Sequence, residues 1–257
     1  MELAHQHGIL TAASLMVAAD AAADAVERAR RLPVLRIGLH VVLVEGKSAL
    51  PPERLPDLVD TSGRLRTDMA RLGLEICVRP AVRDQLRAEI EAQFGAFQAT
   101  GLALDHVNAH KHFHLHPVIA HEIIAVGRRH GMRALRVPHE PAAILAEVEP
   151  STRRFPGYIA PWARLLAGRV RRAGLRAPDC VFGLAWSGAM SAARLGRLIR
   201  LLPDGLTEIY LHPATRDGFE NCAQGYRYVD ELTALMDPHV IALTRRLDVT
   251  LGGYSDY

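Results

Sequence analysis

Leu104-Asp105-His106-Val107-Asn108-Ala109-His110-Lys111-His112-Phe113-His114-Leu115-His116 holds five of the chain's 13 histidines in one short stretch. Its first half reads as a strand, Ala103 to Asn108, and its second half as the place where that strand delivers chemistry. Neutral imidazole is a common metal ligand, and its charge changes near neutral pH, so the cluster suits both coordination and proton transfer. At period two, His110, His112, His114 and His116 would share one side if the strand ran on through them. They are not expected to share one ion. Pro117 should end a strand, and a three-ligand catalytic site uses only one or two members of such a run.

Outward from this stretch, apolar runs alternate with helical patterns, which points to an α/β architecture with a parallel sheet. Strands are predicted at Thr11–Val17, Leu35–Leu43, Ala103–Asn108, Leu135–Val137, Cys180–Leu184, Thr207–Leu211 and Val249–Leu251. Helices are predicted at Ala21–Arg31, Ala81–Thr100, Pro117–His130, Pro161–Ala173, Ser191–Leu202 and Val229–Arg246. The second is the clearest, with Val82, Leu86, Ile90 and Phe94 on one side, Pro80 at its start and Gly101 at its stop. Functional residues of parallel α/β folds sit where strands end. Three predicted strands end in histidine: Ile37-Gly38-Leu39-His40, the Asp105–His110 segment, and Glu208-Ile209-Tyr210-Leu211-His212. Singly, a histidine beside apolar residues is more often a satisfied core side chain; the recurrence favours a shared site.

The chain has 257 residues, 49% hydrophobic, enough for one domain over residues 1–257 with a sizeable core. A net charge of +3 is too mild for a polyanion-binding surface, so no nucleic-acid partner is expected. Cys77, Cys180 and Cys222 are odd in number and widely spaced, which fits reduced thiols. No run is long and apolar enough to span a bilayer, and the first residues lack the pattern of a signal peptide, so a cytoplasmic protein is expected. Gly46–Gly63, with Pro51, Pro52 and Pro56, reads as a long loop over one mouth of the fold. Ser187 lacks the context of a serine-hydrolase nucleophile.

Gly38-Leu39-His40, Asn108-Ala109-His110-Lys111-His112-Phe113-His114 and Leu211-His212-Pro213 resemble the conserved blocks of the YdjC-like, or ChbG-type, carbohydrate deacetylases. Ser14-Leu15-Met16-Val17, Asp105-His106-Val107-Asn108, Arg136-Val137-Pro138, Trp186-Ser187-Gly188-Ala189-Met190 and Glu208–Thr215 resemble the hopanoid-biosynthesis-associated HpnK branch. The resemblance implies a distorted TIM-type (β/α) barrel and metal-dependent removal of acetyl from an N-acetylated sugar. For that branch the implied substrate is N-acetylglucosaminyl-bacteriohopanetetrol. Carried over by position, His40 and His110 would bind a divalent metal ion, Mg²⁺ or Zn²⁺, and His212 would be the general acid. His112, His114 and Arg136 would line the substrate side. Asp105 and Asn108 would orient the ligating histidines through hydrogen bonds.

The family opens with a strand ending in Asp-Asp-Phe-Gly, where one aspartate is a metal ligand and the other a base. This sequence opens instead at Met1–Gly8, which resembles the helix that follows that strand. Asp20 and Asp24 fall in the next helical segment and are not expected to be ligands. A start assigned too late is the expectation, with a truncated protein as the other. Two imidazoles without a carboxylate imply weak metal affinity and low activity. From Arg153 to Arg176, Ile159, Trp162, Leu165, Leu166 and Val170 alternate with arginines, which suits either an outer helix of the fold or a peripheral contact with the inner membrane. A homodimer is a further open expectation. Two alternative functions stand beside the first: another metal-dependent amidohydrolase using His110-Lys111-His112, and a catalytically impaired sugar- or hopanoid-binding homologue.

Overall fold

The computed structural model describes residues 1–152, 159–219 and 222–257. Its strands are β1 (Ala12–Leu15), β2 (Arg36–Val41), β3 (Leu104–Ala109), β4 (Cys180–Phe182) and β5 (Thr207–Ile209). Its helices are α1 (Glu2–His7), α2 (Ala22–Arg30), α3 (Met69–Val78), α4 (Pro80–Ala99), α5 (Pro117–Arg129), α6 (Ala142–Val148), α7 (Ile159–Arg172), α8 (Ala192–Arg200), α9 (Tyr228–Met236) and α10 (Pro238–Arg246).

β1, β2 and β3 form one parallel sheet in that order, and β4 pairs with β5 in a second, also parallel. Parallel strands need covering on both faces, which the intervening helices provide. Isolated parallel bridges, Val107 with Leu135 and Ala134 with Arg176, continue the first sheet beyond β3. The Val181 amide donates to the His139 carbonyl at 2.8 Å, which carries the contact on to β4. No closed barrel is detected among the described residues, so the fold is a mixed α/β one with parallel sheets. The reason is local: β1 pairs only with β2 and β5 only with β4, and the predicted strand Val249–Leu251 pairs with neither. Residues of β1 and β5 line the same cavity.

Helix ends follow their residue chemistry. Pro80 opens α4, whose Val82, Leu86, Ile90, Phe94 and Phe97 are buried, and Gly101 follows it with φ 72°. The predicted helix Val229–Arg246 is two helices. Asp237 caps α10 through the amides of His239 and Val240, and Pro238, lacking an N–H, begins a new turn. α3 and α6 lie where no helix was predicted; Asp68 caps α3 through the Arg71 amide at 3.0 Å.

The core has two clusters. One packs β1–β3 against α2, α3, α4, α5 and α7, and the other packs β4 against α6, α8 and α10. Two polar side chains of α4 are buried within it and hold the chain that leaves β2. The Gln93 amide group pairs with both the N–H and the carbonyl of Val42 at 2.9 and 2.6 Å, and Glu89 accepts from Ala49 and Leu50. Buried polar groups paired in this way fix a loop far more firmly than apolar contact alone.

Candidate active site

His40 is the penultimate residue of β2, and His110 follows β3 directly. Parallel pairing in register, His40 beside Asn108 and Val41 beside Ala109, brings the two imidazoles together across adjacent strands. His40 Nε2 lies 3.4 Å from His110 Nδ1. Two nitrogens held by one tetrahedral zinc at about 2.0–2.1 Å would be about 3.3 Å apart, so the pair matches one edge of such a shell. Among the described residues, no group of three or more His, Cys, Asp or Glu is arranged to hold an ion. The donor set therefore supplies two ligands. Both are neutral imidazoles near pH 7: burial pulls His40 down to about 3, with His110 adding to it, and burial lowers His110 as well.

Beyond Ala109 the histidine run does not continue as a strand. Residues 110–115 form tight turns in which Lys111 and His112 take left-handed φ values of 52° and 53°. The run therefore scatters its side chains instead of presenting one row. His110 and His112 line the cavity, as do His40, Arg136 and His212. His114 does not. It is wholly buried, and its Nε2 donates to the Arg136 carbonyl at 2.9 Å. His116 packs outward beside Cys77, with Nε2 3.4 Å from Sγ.

Opposite the His40–His110 pair, Arg136 makes a two-pronged ion pair with Glu208 of β5, Nε to Oε2 at 2.8 Å. Burial alone would raise the Glu208 carboxyl, but Arg136 outweighs it and holds it low. The guanidinium also sits 4.7 Å from the centroid of the Tyr210 ring, and the Tyr210 hydroxyl is 3.2 Å from His112 Nε2. His112 Nδ1 is buried without a hydrogen-bond partner.

His212 lies beyond Tyr210, edge-on to that ring and 5.1 Å from the Tyr226 ring centroid. Its backbone N–H donates to buried Glu231 at 2.5 Å, which fixes the segment. Its Nδ1 is buried and unpaired, 3.9 Å from the same carboxylate. With the side chain 40% exposed, the accessible ring nitrogen is Nε2. Burial, then Arg136 and His110, lower this imidazole to about 4. His212 is therefore a neutral imidazole near pH 7.

Asp105 and Asn108, predicted as supports, do contact the site's framework. Asn108 Oδ1 accepts from His40 Nδ1 at 2.5 Å. Asp105 is buried, yet hydrogen bonds from His106 and Ser255 outweigh burial and leave its carboxyl at about 2. Ser14, Tyr210, Tyr226, Glu231 and Tyr254 were given no site role by the sequence reading. Tyr254 donates its hydroxyl to Glu208 at 2.5 Å from three residues before the end of the sequence, a contact no local pattern signals. The whole cavity is about 1280 Å³, ample for a disaccharide-sized ligand.

The family model described as YdjC-like protein matches residues 1–246. A carbohydrate deacetylase of Mus musculus is 32% identical over 80% of this chain and 69% of its own length. A carbohydrate deacetylase of Brevibacillus brevis is 37% identical over 45% of this chain, and there the match spans 44% of the relative. A crystal structure provisionally described as a cellobiose-phosphate cleavage protein of Enterococcus faecalis superposes with a TM-score of 0.76. It covers 99% of this chain and 90% of the other at 22% identity, a likeness of fold.

Proposed function

The chain belongs to the YdjC-like family, and from that premise we propose that it is a carbohydrate deacetylase that hydrolyses the acetamide of an N-acetylated sugar. The observation that carries this reading is convergence. His40 and His110, at the ends of two adjacent strands, line the same cavity as Arg136, beside β3, and His212, beyond β5. Named relatives that are carbohydrate deacetylases support the same substrate class.

His40 and His110 would hold a divalent cation, Zn²⁺ more readily than Mg²⁺ because the donors are imidazole nitrogens. Bound there, it would polarise the acetyl carbonyl and acidify water. The chain's own part is binding and proton movement. Amide cleavage needs one proton removed from the attacking water and one given to the departing nitrogen. His212, neutral and open at Nε2, accepts the first and returns it as the second. Arg136, held by Glu208, presents a fixed positive field to the sugar.

The finer reading is a sugar carried on a hopanoid lipid. It rests on the blocks shared with the hopanoid-associated branch and on α7, where Ala163, Leu166 and Val170 pack inward while Trp162 and Leu165 stay 46% and 58% exposed. Residues 153–158 of the proposed membrane-facing segment lie outside the described residues. No helix among the described residues is long and apolar enough to cross a membrane.

The deciding experiment measures acetate released from N,N′-diacetylchitobiose and from a lipid-linked N-acetylglucosamine, each with Zn²⁺ or Mg²⁺ added. Release that disappears in His40→Ala and His212→Ala supports the reading. Acetate at the level of those variants, with every substrate and metal, would overturn it.

A further inference from the structure

A single line of hydrogen bonds runs from His40 to the far end of the sequence. His40 Nδ1 meets Asn108 Oδ1 at 2.5 Å, Asn108 Nδ2 meets Ser14 Oγ at 2.8 Å, and Ser14 Oγ meets His106 Nε2 at 3.0 Å. His106 Nδ1 then meets Asp105 Oδ2 at 2.8 Å. Asp105 is itself pinned by the turn at Tyr254–Asp256. Its Oδ2 accepts from the Tyr254 amide at 3.1 Å, and its Oδ1 accepts from the Ser255 amide and hydroxyl at 2.8 and 2.7 Å.

The polarity of this line is forced from its acidic end. A carboxylate only accepts, so His106 Nδ1 carries a proton, and in the neutral imidazole His106 Nε2 accepts. Ser14 must then donate to His106, which leaves its oxygen to accept from Asn108. Asn108 therefore turns its NH₂ toward Ser14 and its carbonyl oxygen toward His40, and His40 donates from Nδ1. The His40 proton is thus committed to the nitrogen that faces away from His110.

We propose that Ser14 and His106 are positioning residues, which with Asp105 and the turn at Tyr254–Asp256 lock His40 in the Nδ1–H form so that Nε2 offers an electron pair toward His110. Packing supports the assignment independently of the hydrogen bonds. Tyr254 stacks on the His106 ring at 4.9 Å between centroids. Gly38 of β2 leaves the space the ring fills: a Cβ there would stand 2.4 Å from His106 Nε2. Contact with the tyrosine ring and with the bare Gly38 backbone leaves the His106 ring little room to turn over and reverse the line.

The catalytic consequence rests on the deacetylase reading; the assignment of the proton does not. A metal ligand must present its lone pair, and the partner on the opposite ring nitrogen decides which form is present. Ser14 faces the cavity and is exposed, so Ser14→Ala removes the hydroxyl with little loss of packing.

Long-range ¹H–¹⁵N correlation spectra of histidine-labelled protein read each ring's form directly. Wild type is expected to show His40 protonated at Nδ1 alone. In Ser14→Ala the Asn108 amide loses its acceptor and is free to turn over, and His40 is expected to move toward the Nε2–H form; Ser14→Thr should restore the wild-type pattern. Zn²⁺ titration is expected to show affinity about 10-fold weaker in Ser14→Ala. An Nε2–H signal for His40 in wild type, or a His40 signal unchanged in Ser14→Ala, would overturn the proposal. A tautomer switch in a protein that releases no acetate would uphold the proposal and sink the deacetylase reading alone.

Discussion

Glu208→Gln is the sharpest probe of how the site is held. The Arg136–Glu208 pair is desolvated, its side chains only 7% and 15% exposed, and Tyr254 donates a further hydrogen bond to the carboxylate. Exposed ion pairs contribute about 0–1 kcal/mol, whereas removing one partner of a buried pair costs about 3–5 kcal/mol, because the other charge stays behind without compensation. Glutamine keeps the shape and one oxygen that can accept from Arg136, which places the expected loss near the lower bound, about 3 kcal/mol. For a chain of this size each kcal/mol lowers Tm by about 2–4 °C, so the variant should melt about 6–12 °C below wild type. Urea unfolding monitored by circular dichroism gives the free energy, and thermal denaturation gives the midpoint. The double variant Arg136→Met/Glu208→Leu removes both charges and is expected to recover most of the loss, although it should bind sugar poorly. A loss below about 1 kcal/mol for Glu208→Gln would mean that water reaches the pair, and the buried-pair reasoning would be wrong.

Three further outcomes are expected. His212→Ala should lower kcat for acetate release by about 10²–10⁴-fold while leaving the melting temperature near wild type, since the ring is partly exposed and its Nδ1 has no partner to lose; steady-state kinetics with thermal melts check both. Burial raises the Glu140 carboxyl to about 7, against three opposing backbone N–H bonds from Gly183, Leu184 and Ala185. A raised carboxyl favours the protonated fold, so the stability it lends is complete below the ordinary value of 4.5 and is lost as pH climbs through about 7. Glu140→Gln should flatten that decline in pH-dependent melting curves, and a decline of unchanged steepness would assign it to another group. Trp162→Ala should weaken co-sedimentation with anionic liposomes if α7 meets a bilayer; equal binding by both proteins would remove the membrane contact from the functional picture.

Much of this arrangement was legible before any coordinates. Helices with strong apolar spacing, α4 and α5 above all, fell within a residue or two of their predicted bounds because burial on one face and a proline start act locally. Strand-terminal histidines also announced themselves, since β2 and β3 carry His40 and His110 to the same end by simple parallel register. What stayed hidden was long-range or conformational. Period-two spacing suggested a row of histidines, but left-handed backbone at Lys111 and His112 breaks it, and His114 turns into the core instead of toward a ligand. The expected barrel rested on the family resemblance, whereas closure depends on which edges pair, and Val249–Leu251 makes no ladder. Tyr254 and Ser255 were silent because their partners, Glu208 and Asp105, are 46 and 150 positions away.

The consecutive left-handed residues at Lys111 and His112 are not glycines, and each such conformation opposes the intrinsic preference of an L-residue by about 1–2 kcal/mol. Surrounding contacts, above all the burial of the Phe113 ring, offset that cost, with a smaller share from the part-exposed Lys111–Glu45 ion pair. A substitution that loosens the grip on this turn is expected to let the backbone relax toward ordinary angles and to shift His110, the residue before it, relative to His40. Activity in this protein should accordingly fail at lower temperature than the fold itself, because the catalytic geometry depends on a small tensioned segment whose release leaves both hydrophobic cores intact.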